Sequence, residues 1–187
     1  MRSTMQDAPL TIGSLMKHGT TVHADSEVVT ATADGTRSQT YAELGRRAAR
    51  LANGLRSLGI DGDQRVATFQ WNNAEHLEAY LAIPSMGAVL HTLNIRLFPE
   101  QLVYIANHAE DQVVIVDDSL VGLLAPHLSE MRTVRHVLVA GDAEGAQPAG
   151  QPRCPPAQLG IGLGPAAGTG RRHHLGVVVD GGAVPHQ

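Results

Sequence analysis

Aromatic residues make up only 3% of this 187-residue chain, and there is a single cysteine. Cys154, between Arg153 and Pro155, has no second cysteine to meet, which excludes an internal disulfide and fits a reducing compartment. Long apolar runs are missing too. The longest, residues 79–90, is interrupted by Pro84, Ser85 and Gly87 and is too short to cross a bilayer. The first thirty residues hold no apolar segment behind a basic start, so a secretory signal is not expected. Clustered positive charge is likewise scarce. With a formal charge of -4 and a pI near 6.2, the chain lacks the basic footprint that binding nucleic acid requires. These absences point to a cytoplasmic protein without a transmembrane segment, and leave peripheral attachment to a membrane open.

The length suits one domain with a sizeable core. Glycine and proline divide it unevenly: residues 1–140 carry nine Gly and four Pro, whereas the 47 residues of 141–187 carry eleven and six. The second part contains no aromatic residue, Lys or Met. A segment so poor in large side chains cannot bury enough surface to offset its backbone ordering cost, so 141–187 is expected to be a disordered tail, with only Val177, Val178 and Val179 hinting at a strand. The run Gly160-Ile161-Gly162-Leu163-Gly164-Pro165 looks like a phosphate loop at first sight. The dinucleotide fingerprint needs glycine where Pro165 stands, and the Gly-Lys-Ser/Thr ending of a P-loop is absent.

Within 1–140 the period of the apolar residues changes several times. Two extended stretches, 28–32 and 36–39, flank Asp34-Gly35, a dipeptide suited to a tight hairpin turn. Thr40 and Glu43 have capping-box spacing, and Tyr41, Leu44, Ala48, Leu51, Leu55 and Leu58 then recur every three or four residues up to Gly59, which predicts an amphipathic helix. Arg46, Arg47, Arg50 and Arg56 fall mostly off that stripe and read as a solvated face rather than a basic patch. A short strand is expected over 65–70. Asn72 with Glu75 would cap the next helix, with Leu77, Tyr80, Leu81 and Pro84 buried; Pro84 should kink or end it, and Gly87 lets the chain turn into a strand near Val89. Pro99 begins a third helix, followed by an apolar strand over 112–116, a further helix over 120–128 and a last strand over 134–140. Alternating strands and helices predict an α/β fold: a doubly wound, largely parallel sheet flanked by helices, preceded by a β-hairpin and followed by the tail. Ligands of such sheets collect beyond the carboxyl ends of the strands, here at Trp71-Asn72-Asn73 and Asp117-Asp118.

Chemistry is hard to find in this pattern. Asp117-Asp118 could hold magnesium, although two acids here more often cap the start of a helix. His76 beside Glu75 has no His-Glu-x-x-His spacing, and His91 in an apolar stretch reads as a hydrogen-bonded core histidine. His173-His174, after Arg171-Arg172, has no folded context. None of the serines sits in a Gly-x-Ser-x-Gly elbow.

Taken together, five segments carry a resemblance that none carries alone: Thr40-Tyr41-Ala42-Glu43-Leu44; 62–67, Gly-Asp-Gln-Arg-Val-Ala; 76–80, His-Leu-Glu-Ala-Tyr; 87–97, Gly-Ala-Val-Leu-His-Thr-Leu-Asn-Ile-Arg-Leu; and 105–111, Ile-Ala-Asn-His-Ala-Glu-Asp. In this order and spacing, over residues 10–140, they resemble the amino-terminal subdomain of AMP-forming acyl-CoA synthetases, most closely the medium- and long-chain fatty acid–CoA ligases. Phe98 departs from the pattern, since the family often has a small polar residue before Pro99.

The resemblance implies a two-step ligase. ATP, with Mg, and a fatty acid give an acyl-adenylate and pyrophosphate; the CoA thiol then displaces AMP. Its parts expected after the last strand are not found: the Ser/Thr/Gly-rich loop ending in Pro-Lys-Gly, the adenine-binding and aspartate motifs, and the carboxyl domain with its lysine. No catalytic, cofactor-binding or metal residue is therefore carried over. Residues 1–140 are read as a truncated ligase subdomain, inactive alone, and 141–187 as a tail that fits translation out of frame from GC-rich coding sequence. The alternatives are a non-catalytic interaction or homodimerisation module and, more weakly, an independent nucleotide-binding protein.

Overall fold

A computed structural model describes residues 9–32, 35–141 and 174–178. It resolves into two units, one drawn from 1–63 and 72–89, the other from 64–71 and 90–187.

The first unit is a helical layer with a hairpin. Strands β1 (Glu27–Thr32) and β2 (Gly35–Thr40) pair antiparallel, Val29 opposite Ser38, as the two extended stretches predicted. Asp34 of the predicted turn lies outside the described residues. The hairpin runs straight into α2 (Tyr41–Ser57), whose start is the predicted capping box: the Thr40 hydroxyl accepts from the Glu43 N–H at 3.2 Å, and the Glu43 carboxylate accepts from the Thr40 N–H at 3.0 Å. Leu44, Ala48, Leu51, Ala52 and Leu55 form its buried stripe. The helix stops at Gly59, whose φ of +86° suits a residue without Cβ.

Helix α1 (Ile12–Val22) was not expected from the sequence. Its two glycines and two threonines give weak helical propensity, and the threonine hydroxyls bond back to the helix, Thr20 to the Met16 carbonyl at 2.9 Å and Thr21 to that of Lys17 at 2.7 Å. Contact with α2 makes up the deficit. Gly45 of α2 sits so close to the Thr20 side chain that a Cβ there would overlap its methyl.

Helix α3 (Ala74–Ser85) is capped by Asn73, not Asn72; the Asn73 carboxamide oxygen accepts from the His76 N–H at 2.9 Å. Its buried face also differs from expectation. Ala79, Ala82 and Ile83 are buried together with His76 and Glu78, while Tyr80 is exposed and Leu77 and Leu81 are only partly covered. The helix packs against α1, α2 and β1 at once, so no single apolar stripe describes it. Pro84 falls in its last turn, and Gly87 follows at φ +92°.

The second unit is a five-stranded sheet in the order β4-β3-β5-β6-β7. Strands β3 (Arg65–Phe69), β5 (Asp111–Asp117) and β6 (His136–Gly141) are parallel, and β4 (Val89–Thr92) lies at the edge beside β3. β7 (His174–Val178) pairs antiparallel with β6 and includes two of the three valines singled out in the tail; residues 142–173 and 179–187 lie outside the described residues. Helix α4 (Pro99–Ala109) starts at Pro99 without a side-chain cap, because Phe98 has no oxygen to offer. The helix predicted over 120–128 is broken into a 3-10 turn, a four-residue α5 (Val121–Leu124) and a second 3-10 stretch over Ala125–Glu130. Pro126 supplies no N–H and so interrupts the ladder there. Together with α4, these turns cover one face of the sheet, where Ala67, Phe69, Val114 and Val116 meet Leu102, Leu124 and Met131 in an apolar core.

Candidate functional site

The carboxyl ends of β3 and β5 are where a doubly wound sheet presents its ligand-binding edge. Both loops anticipated there belong to the second unit up to Trp71. Asp117, at the end of β5, is buried and accepts from the Ser119 hydroxyl at 3.3 Å; that hydroxyl in turn accepts from the Trp71 indole N–H at 3.1 Å. The indole is thereby pinned to the β5 loop while about half of the residue stays exposed. Gln70 lies one residue past β3. Its carboxamide is buried, and among the described residues neither its oxygen nor its nitrogen has a hydrogen-bond partner. An unmatched buried amide costs free energy on the order of 1–3 kcal/mol, so this position calls for a polar partner.

Asp118 makes contacts of its own. Its carboxylate accepts from the Ser119 N–H at 2.6 Å and fits against Gly141, where φ is +148° and a Cβ would overlap the carboxyl group. The two acids are thus divided between separate tasks. Asp117 occupies the position before the 3-10 turn without capping it through its side chain, and no group of three or more His, Cys, Asp or Glu suited to a metal occurs among the described residues.

The remaining sequence candidates are dispersed. His76 is buried in the first unit, its ring tilted over Tyr80 with centroids 4.9 Å apart. His91 on β4 is hydrogen-bonded as expected: its Nδ1 lies 2.9 Å from both oxygens of the fully buried Asp111. Burial pushes the Asp111 carboxyl above its usual range, with the His91 hydrogen bond opposing that shift. The segment after β4 is tied down by local and cross-strand bonds. Leu93 donates to the Thr68 carbonyl at 2.9 Å, and the Asn94 side chain accepts from the Arg96 N–H at 2.9 Å in a short turn.

The arginines of α2 require a correction. Arg46, Arg50 and Arg56 do lie on an exposed face, but Arg47 reaches inward to the nearly buried Glu78 and lies 3.7 Å from Glu75. Arg37 of β2 grips Glu75 with two bonds of 2.7 Å, and Gln39 donates to Glu78 at 3.3 Å. Burial works to raise the Glu75 carboxyl, but Arg37 overrides it and holds the group below its ordinary value; Glu78, where burial prevails over Arg47, is held above. Sequence spacing could not reveal this network, because its contacts join residues 28 to 39 positions apart. The Gln70 and Ser119 contacts are equally non-local.

Fold and sequence converge on one class. A family description, "AMP-binding enzyme", matches residues 17–160, and the chain belongs to that family. Among individual proteins, it is 44% identical over 138 residues to a long-chain-fatty-acid–CoA ligase of Thermus thermophilus, covering 73% of this chain and 26% of that protein. A 3-methylmercaptopropionyl-CoA ligase of Ruegeria lacuscaerulensis is 40% identical over 142 residues, covering 75% of this chain and 26% of the relative. The fold is shared with an anthranilate CoA ligase solved in complex with anthranoyl-AMP, at a TM-score of 0.65 and 23% identity over 72% of this chain and 26% of that one. The chain therefore spans about a quarter of the length of these relatives.

Proposed function

We propose that residues 10–140 provide the amino-terminal subdomain of an AMP-forming fatty acid–CoA ligase. Such an enzyme condenses a fatty acid with ATP and Mg into an acyl-adenylate, releases pyrophosphate, and transfers the acyl group to CoA. The observation that carries this reading is the 44% identity to the Thermus thermophilus ligase over 138 residues. The test is a chimera in which residues 10–140 replace the matching stretch of that ligase. AMP release dependent on long-chain fatty acid and CoA supports the reading, and a folded chimera without that activity sinks it.

The 187-residue chain alone is proposed to be catalytically silent. In-line attack on the α-phosphorus needs preorganised amides and cations around the phosphates, and the Pro-Lys-Gly loop that would supply them has no counterpart in the sequence. Fatty-acid- and CoA-dependent AMP release by the purified chain would contradict this. Sequencing the encoding DNA through the region of residue 141 tests the proposed loss of frame, which fails if no other frame continues as a ligase.

A second reading, a homodimerisation module, is favoured by the surface of α1. None of its residues is buried, and Leu15 and Val22 are 52% and 63% exposed. Apolar groups left open in this way favour association. Sedimentation as a monomer at micromolar concentration would count against it.

A further inference from the structure

The His91–Asp111 pair is unusual for its place in the sheet. His91 stands on the four-residue edge strand β4, Asp111 begins β5, and β3 runs between those strands. The pair therefore bridges two strands that share no ladder. The β3–β5 register also slips beside Asp111: Arg65 opposes Asp111, but the next residue, Val66, opposes Val113. Such an irregularity re-aims the side chains next to it.

We propose that His91 and Asp111 form a proton-linked latch, which holds β4 to β5 across β3 and so sets how firmly β4 and the following segment 93–97 are fixed. The edge strand needs such a tie. It is four residues long and lies at the edge of the sheet, and its continuation is held by the bond from Leu93 to Thr68, by the Asn94 turn and by Leu93 packing into the apolar core.

The charged groups acting on Asp111 are His91 from β4 and Arg65 from β3; Glu110, its chain neighbour, lies 3.7 Å from Arg65. Burial makes the ionised carboxylate the costly form, and a hydrogen bond from His91 stabilises it. A carboxyl raised above its ordinary 3.8 favours the folded state most fully at low pH, and that advantage is lost as pH rises through the raised value. Removing the His91 donor must therefore weaken the sheet edge chiefly at neutral pH, where Asp111 has to ionise without it. In acid, a protonated Asp111 does not need it.

Hydrogen exchange of segment 89–97 in the full chain, expressed as protection corrected for intrinsic rate, reads this directly at pH 7.5 and pH 4. His91→Ala should lower protection at pH 7.5 by about tenfold or more, consistent with loss of a hydrogen bond to a charged group, and change it little at pH 4. His91→Asn, whose carboxamide N–H can occupy the place of Nδ1, should restore protection at pH 7.5 and leave it unchanged at pH 4; Asp111→Asn should remove the pH dependence. Equal losses at the two pH values, or unchanged protection in His91→Ala at pH 7.5, overturn the latch. If His91→Ala does not fold, His91→Asn decides the matter: wild-type protection at pH 7.5 supports the latch, and its loss there overturns it.

Discussion

Each unit holds its own elements together by a different means. In the second, β3 and β5 place alternate side chains on one face, and Phe69, Val114 and Val116 close a dry core with Leu102 and Leu124. In the first, helices pack on one another, and a set of ions in which Glu75 and Glu78 are largely covered while Arg37 and Arg47 stay partly exposed fastens the hairpin and α2 to α3. The apolar core tolerates exchange among hydrophobic residues of similar volume, whereas the ionic set depends on every member, because removing one leaves a charge buried without its partner. Close relatives of this chain should therefore vary more freely in the aliphatic identity of the core than at Arg47 and Glu78.

The contrast can be tested from its strong side to its weak one. Phe69→Ala should cost about 3–5 kcal/mol in urea denaturation, through lost burial and the cavity left behind. The cost should be the same at pH 7.5 and pH 4, since no charge is involved. A loss under 1 kcal/mol would mean that the core of the second unit is looser than its burial implies.

Arg47→Ala should cost about 2 kcal/mol at pH 7.5, less than a fully buried pair because Arg47 is partly exposed and Gln39 still donates to Glu78. The cost should shrink toward pH 4. Burial holds the Glu78 carboxyl above its ordinary 4.5, so the ionised form is the one that suffers, and the penalty appears as pH rises through that raised value. Arg47→Met combined with Glu78→Leu should recover most of the loss. A pH-independent cost, or no recovery in the double variant, would remove the ionic set from the comparison.

The smallest effect is expected at the capping box. Thr40→Ala should cost about 1 kcal/mol by leaving the Glu43 N–H unmatched at the start of α2. A change below measurement would show that the hairpin positions the helix without its cap.

Much of the fold was legible because it rests on local rules. The Thr40–Glu43 spacing, the Leu44-to-Leu55 stripe and Pro99 at a helix start appear where expected, and the strand expected over 112–116 extends one residue further at each end. The failures share a cause as well. Helix α1 escaped notice because its stability comes from α2 and α3 rather than from its own residues; the buried face of α3 was misassigned because three elements surround it. The site was less legible still. The candidate loops follow from topology, but the Trp71–Ser119–Asp117 chain and the unmatched Gln70 amide depend on which side chains the strand ends bring together.

By itself the sequence determined the family and the order of its elements, because periodicity, caps and breakers act within a few residues and the five shared segments keep their spacing. Only the tertiary structure decided which polar groups are buried in pairs. Arg47 with Glu78, and His91 with Asp111, could not be read from spacing, since each contact forms only after the packed elements have closed loops of 20 or more residues.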